Sequence, residues 1–388
     1  MAKYRFTARP FCRYKKGGYR NMKTIGLISA NYGSSEFGEL LENRTLASLP
    51  YGGRYRLIDF ALSNMANAGI ATVGVIAPAD SGSLIDHIGV GNPWSLARKR
   101  GGLFVMPGSV YGMQKSGSRF LMRDLLKCSR FFYKDDADYV IMSGSTDVCN
   151  MDFEPFIKAH AESGKKITMM YKKVPRGEEF HGYFLDINEN GEVAAIHNES
   201  NGWSNYFADC FIINRTYMLD FLNWYKALEY MDMIELIRDN KGNMDIGTYE
   251  FRGYLGKIKN PWEFLKVNQG MTDYDIRNEV FCNPVRPIFT KAQDEAPVFH
   301  YPEADVRNSV ISTGCIIEGR VENSVIFRSC HIAKGAVVRN SVIMMHGTIG
   351  EGAVLDNVIA DKYVTINPGV KIYGGEREPV IIGKNNTI

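Results

Sequence analysis

Two histidines, one basic cluster, one aromatic run and seven cysteines are the groups in this chain whose types and spacing bear on chemistry. His331 and His346 lie in a repetitive C-terminal region, where a histidine on a β-coil can serve as general base for acyl transfer. Only about four coils are visible, and turn or exposed histidines are the plainer expectation. Arg98-Lys99-Arg100 stands before Gly101-Gly102 and reads as a solvated loop, with a phosphate or subunit contact as the alternative. Tyr217, Phe221, Trp224 and Tyr225 have helical spacing, which fits a core or subunit-packing face better than a sugar platform. Cys12, Cys128, Cys149, Cys210, Cys282, Cys315 and Cys330 form no C-x-x-C pair. An odd, scattered set argues for a reducing cytoplasm and against zinc or a disulfide framework.

These groups need elements to hold them. A chain of 388 residues predicts about two or three domains. Its 45% apolar and 23% charged residues exclude wholesale disorder. No uncharged apolar run approaches the ~18 residues of a membrane-spanning helix, so a soluble chain is expected. The net charge of +3 comes from the first 21 residues, which carry seven basic groups and no acid. Without those seven, 39 basic residues face 43 acidic ones, a net of −4, so the charge does not mark a nucleic-acid-binding face. Residues 1–21 lack an apolar h-region and read as a basic, disordered extension rather than a secretory signal.

Strand candidates rich in Val, Ile and Met are Thr24–Ala30, Thr72–Ala77, Tyr139–Ser143 and Ile167–Lys172. Leu57, Phe60, Ala61, Met65 and Ala68 share one helical face, closed by Gly69 as C-cap. Asp152 opens a second helix that Gly164 closes, and Asn260-Pro261 opens a third, with Asn as N-cap. Strands separated by helices predict a layered α/β domain over 22–282. Four prolines in 283–305 predict a linker. After it, Arg307-Asn-Ser-Val-Ile311 recurs as Glu322-Asn-Ser-Val-Ile326, Arg339-Asn-Ser-Val-Ile343 and Asp356-Asn-Val-Ile359. The repeated asparagines Asn308, Asn323, Asn340 and Asn357 are 15, 17 and 17 residues apart. A period near 18 with an apolar residue every five or six positions predicts a three-sided parallel β-coil over 306–388.

The segment Tyr51-Gly-Gly-Arg-Tyr-Arg-Leu-Ile-Asp-Phe-Ala-Leu-Ser-Asn64 closely resembles F-G-G-K-Y-R-I-I-D-F-A-L-S-N of the ADP-glucose pyrophosphorylases (glucose-1-phosphate adenylyltransferases). Ala68-Gly-Ile70, Trp94, Met151-Asp-Phe153 and Phe251-Arg-Gly-Tyr254 also fall where that family has similar residues. The resemblance runs from Met22 to the C-terminus. It implies a nucleotide-diphospho-sugar-transferase-like (Rossmann-like) mixed sheet followed by a left-handed parallel β-helix of hexapeptide-type repeats.

The family joins ATP and glucose 1-phosphate and releases pyrophosphate. Such chemistry needs a glycine-rich loop and basic groups on the triphosphate, and carboxylates holding Mg²⁺. The resemblance fails at those positions. The family's G-G-x-G-x-R-L loop is Ser29-Ala-Asn-Tyr-Gly-Ser-Ser-Glu-Phe37, and the lysine of R-A-K-P falls on Leu46. The metal Asp of G-D-H falls near Ser145, with Asp147 close but displaced, and the second metal Asp falls on Lys257. G-T-A-D-A has become Gly117-Ser-Arg-Phe-Leu121, and the sugar-phosphate motif E-K-P is lost near His197-Asn-Glu199.

The pattern therefore resembles the family's non-catalytic glycogen-biosynthesis subunits. It implies a cytoplasmic regulatory subunit with no catalytic residues, no bound metal and no cofactor of its own. Mg²⁺ and ATP are expected in a catalytic adenylyltransferase paralogue, its partner in a heterotetramer, beside self-association. No nucleic-acid or membrane partner is implied. Arg44 and Arg56 match arginines that bind anionic effectors in the catalytic family, and guanidinium forks suit phosphate oxygens. Asn43 and Pro50 depart from that site, and subunit salt bridges are the equal alternative for both arginines. Two other functions stay open: an active nucleotidyltransferase with rearranged carboxylates, Asp147 with Asp245 or Asp273, and a sugar-nucleotide sensor.

Overall fold

The computed structural model describes residues 22–31, 35–79, 81–109, 119–175, 182–200 and 202–388. The basic extension expected at 1–21 lies outside them. All four strand candidates are strands: Thr24–Ser29, Thr72–Ala77, Tyr139–Ser143 and Ile167–Lys173. Thr24–Ser29 lies at the centre, parallel to both Thr72–Ala77 and Tyr139–Ser143, with Ile25, Leu27 and Ile28 at 1% exposure or less. A strand covered on both faces reads as a continuous apolar run, as this one does. Asn205–Asn214 runs antiparallel to Tyr139–Ser143 and makes the nine-stranded sheet mixed.

The helices end where their caps stand. Ile58–Asn67 is followed by Gly69 at φ 71°, and Phe153–Ser163 starts at Asp152, whose carboxylate accepts from the Glu154 amide. In Pro261–Gln269 the Asn260 side chain accepts from the Glu263 amide, satisfying an orphan donor of the first turn.

The C-terminal domain is a left-handed parallel β-helix whose three faces are each a five-stranded parallel sheet. Its columns Ile317–Ile332–Ile349–Ile366 and Val321–Val338–Leu355 are at 1% exposure or less, so each coil buries its apolar residues against the next. The four repeated asparagines all take positive φ, between 42° and 58°, at one corner. Asn tolerates that left-handed conformation better than other side chains. The amide of Asn308 donates to Asn323 (2.7 Å), that of Asn323 to Asn340 (3.4 Å), and that of Asn340 to Asp356 (2.8 Å).

Two expectations shift. Five coils stand where about four are legible, because the last, built from Thr365–Ile366, Lys371–Tyr373 and Val380–Ile382, lacks the repeated phrase. The first coil starts early: its strand Phe299–His300 pairs with Ile316–Ile317, so coil pairing begins inside 283–305. The preceding segment is docked rather than free: Asn67 Nδ2 donates to the Pro287 carbonyl (3.0 Å), and the Phe289 amide donates to Ser63 Oγ (2.9 Å).

Candidate functional site

Open α/β sheets bind ligands beyond the carboxyl ends of strands where strand order reverses. Here that point is the end of Thr24–Ser29, since the chain first adds strands on one side of it and then returns to add Tyr139–Ser143 on the other. Ser145 Oγ donates to the Ser29 carbonyl (2.6 Å) and closes the two strand ends together. Beyond them, Asp147–Val148 pairs antiparallel with Gly256–Lys257, in a register that sets Lys257 directly opposite Asp147.

The Lys257 ammonium stands 3.8 Å from Asp147 Oδ1 and 4.7 Å above the Tyr206 ring, and both charged side chains are buried. Burial alone would pull the amine down, but the Asp147 carboxylate outweighs it and holds Lys257 above its ordinary range. Arg119 is placed by Asp232, which accepts from the Arg119 and Phe120 amides at 2.6 and 2.8 Å. Its guanidinium pairs with Asp209 at 2.9 Å. Asp209 sits at φ 53°, where the register of Asn205–Asn214 shifts between Phe207 and Phe211. A bulge re-aims a side chain. Burial, with Lys257 and Arg119 nearby, pushes half-buried Lys259 down to about 6.

The Mg²⁺ that the resemblance implies does not fit this donor set. Asp147 faces an ammonium, Asp209 is ion-paired, and among the described residues no three His, Cys, Asp or Glu side chains converge. Leu46, where the family has a lysine, is 2% exposed in an apolar cluster with Phe264. The three carboxylates of the rearranged-site alternative do not meet. Asp245 pairs with Lys165 (2.6 Å) before the strand Ile246–Glu250, at the edge of the sheet opposite Asp147. Asp273 caps the helix Tyr274–Val280.

A second charged region lies between the domains. The strands Pro50–Tyr51 and Tyr55–Arg56 form a hairpin whose turn, Gly52 and Gly53 at φ 58° and 82°, rests on the β-helix. Ser312 Oγ donates to the Gly53 carbonyl (2.8 Å), and a Cβ at Gly53 would come within 2.6 Å of that hydroxyl, so a larger residue would lift the hairpin. The hairpin presents Arg54 and Arg56 to a cleft of about 160 Å³ completed by Lys291, Arg328 and Lys362. Asp86 and Glu295 are the acidic residues lining it.

Arg56 is fixed in place, donating to the Ser83 carbonyl (2.9 Å) and Ser83 Oγ (2.7 Å). Burial, Arg56 and Arg44 push Lys362 down to about 8. Arg44 is elsewhere engaged: its guanidinium pairs with Asp361 of the β-helix, both buried. The structure therefore brings Arg56, and not Arg44, to the lining of the cleft.

Sequence reading missed Arg54, Lys291, Arg328 and Lys362. Two of them carried a signal, since Arg328 and Lys362 occupy the same repeat position two coils apart. Among the other groups, His346 stacks on Tyr363 (4.7 Å) at the cleft and His331 pairs with Glu318 (2.7 Å). Phe221 is buried and Trp224 is 58% exposed. Arg98, Lys99 and Arg100 are exposed.

Comparison with known proteins bears on both regions. Residues 42–198 match the family described as Nucleotidyl transferase, and residues 299–378 the one described as GlmU-like, C-terminal hexapeptide. The chain is 35% identical to the "Glycogen biosynthesis protein GlgD" of Geobacillus stearothermophilus, over 82% of this chain and 83% of that protein. It is 31% identical to the GlgD of Bacillus subtilis (strain 168), over 94% and 96%. It is 28% identical to the "Glucose-1-phosphate adenylyltransferase" of Geobacillus stearothermophilus, over 82% and 83%.

Proposed function

The chain belongs to the ADP-glucose pyrophosphorylase (glucose-1-phosphate adenylyltransferase) family, and from that premise we propose that it is a regulatory, largely non-catalytic subunit in glycogen biosynthesis. The observation that carries the reading is the buried Asp147–Lys257 pair: an ammonium faces the carboxylate that a metal would need. Buried Leu46 supports it, since no cation stands there to meet a triphosphate. The partner is a catalytic paralogue in the cytoplasm, assembled with this chain as a heterotetramer. That a single organism carries both a GlgD and a glucose-1-phosphate adenylyltransferase similar to this chain supports the pairing.

The interdomain cleft takes a phosphorylated effector. Five cationic side chains against two carboxylates suit phosphate oxygens, and Arg56 is pre-set by Ser83. Occupation would bridge hairpin and β-helix and bias the partner's conformation through the shared interface.

Pyrophosphate release from ATP and glucose 1-phosphate with Mg²⁺ tests the reading, comparing this chain, the paralogue and the co-expressed pair. Silence from this chain alone and a several-fold gain in the mixture are expected; robust turnover by this chain alone overturns the proposal. In the mixture, Arg56→Ala should raise the effector concentration for half-activation about tenfold, the loss of one good charge-assisted contact. An unchanged value removes the effector role of the cleft.

A further inference from the structure

Seven scattered cysteines carry no paired motif, yet the coil period sets two of them together. Cys315 and Cys330 are 15 residues apart, and each immediately precedes a strand of the same β-helix face. Ile316 pairs with His331, so Cys315 stands beside Cys330 of the next coil, and the Ile316 amide donates to the Cys330 carbonyl (2.9 Å). Both lie in the apolar interior of the β-helix, each at 1% exposure. Cys315 Sγ donates to the Phe327 carbonyl (2.9 Å) and Cys330 Sγ to the Met344 carbonyl (3.2 Å), equivalent places on successive coils. Neighbouring strands lie about 4.8 Å apart, and a disulfide joins Cα atoms about 4.4–6.8 Å apart. The coil spacing thus holds the two thiols within bonding reach, and both are free.

The two sulfurs are chemically unequal. A hydrogen bond from the Cys330 thiol holds the Cys315 thiol below its ordinary range, while burial pushes Cys330 up. Burial pushes Cys128 and Cys210 up as well, so Cys315 is the better nucleophile. Half-buried Val298 is the residue that the pairing of Phe299 with Ile316 sets beside Cys315, which leaves a small oxidant a short path at the first coil. The pair also adjoins the cleft. Ser312, three residues before Cys315, holds the hairpin, and Arg328, two residues before Cys330, lines the cleft wall.

We propose that Cys315 and Cys330 are a redox-modification site, at which hydrogen peroxide closes a reversible disulfide that staples the second coil to the third beside the cleft. The Cys315 thiolate attacks a peroxide oxygen; the O–O bond breaks, water leaves and a sulfenic acid remains. The Cys330 sulfur then displaces the hydroxyl, which departs as water while the S–S bond forms. The two thiols together lose two electrons and two protons, the peroxide becomes two waters, and a dithiol reverses the step. A transient bond of this kind is compatible with a reducing compartment, where a permanent disulfide framework is not.

Peptide mapping of the full chain tests this, with Cys12→Ser and Cys282→Ser in place so that Cys282, the exposed thiol among the described ones, does not compete. After the folded protein meets hydrogen peroxide, trypsin without reductant should release residues 308–320 joined to residues 329–334, lighter by about 2 Da than the two peptides together. Dithiothreitol should separate them. The thermal unfolding midpoint should rise by several degrees on oxidation and fall back on reduction. Cys315→Ser should abolish both the linkage and the shift; the mapping stands without it if that variant does not fold. No linkage, linkage only in urea, a link that dithiothreitol leaves intact, or an unchanged midpoint after full linkage each overturn the proposal. The inference does not depend on what the cleft binds or on whether this chain turns over.

Discussion

Two clusters of positive charge in this molecule are resolved in opposite ways. Beyond the ends of the central strands, Lys257 and Arg119 are each set against a carboxylate and buried with it. In the cleft, Arg54, Arg56, Lys291, Arg328 and Lys362 crowd one another with two acids between them, open to solvent. Proximity lowers the cost of burying a charge only where the neighbour has the opposite sign. Lys257 is accordingly held above its ordinary range and Lys362 is pushed down to about 8. The first cluster supports the fold, and the second stores unfavourable charge that an anionic ligand relieves.

Four measurements sharpen or break this contrast. Lys257→Met should destabilise the chain most, by about 3–5 kcal/mol in urea unfolding, because it strands Asp147 without a partner. Adding Asp147→Asn should recover much of that loss. A small effect for the single change would mean the two groups are not paired.

Lys362→Met should act with the opposite sign, raising stability at pH 7 by about 1 kcal/mol. The folded pKa of Lys362 lies below its unfolded value near 10.4, so the folded state disfavours the charge. The penalty is present below pH 8 and is relieved as pH rises through the folded value, where the unfolded chain holds the extra proton. Destabilisation by this variant would contradict the crowding. The same titration predicts that effector affinity falls several-fold as pH rises through about 8, when Lys362 loses its charge. A flat profile from pH 7 to 9 would leave Lys362 out of the ligand's contacts.

The smallest effect is at a position remote from both clusters. Asn340→Ala should cost about 1 kcal/mol, since the corner needs φ near 46° and the side chain donates to Asp356. Asn340→Gly should cost less, and neither should alter anion binding in the cleft.

Much of the fold was legible because its signals are local. The central strands are short apolar runs, two helices start at side chains that accept from their first-turn amides, and two stop at a left-handed glycine. The coil period is written in a phrase repeated nearly unchanged. The last coil escaped because Thr365–Ile382 carries no such phrase, and the opening strand Phe299–His300 is recognised only by its pairing with Ile316–Ile317. At the sites the balance differs. The residues absent from the family's motifs were legible one by one, and Arg56 was legible as a candidate for an anion or a salt bridge, while its place in the cleft was not. Nor was the partner of Arg44, because Asp361 is 317 residues away. The Asp209–Arg119 pair depends on a bulge that has no marker in the run Phe207–Phe211.

By itself, the sequence determined the two-domain plan, the β-helix and the loss of the lysine and carboxylates on which the family's metal chemistry depends. Each follows from residue identity, period or capping, and these act within a few positions of the chain. Only the tertiary structure decided which charges meet: Lys257 across from Asp147, Arg44 against Asp361, and five cations gathered from hairpin, docked segment and two coils into one cleft. Charge pairing acts through space over a few ångströms, and chain neighbours do not specify which distant residue will stand there.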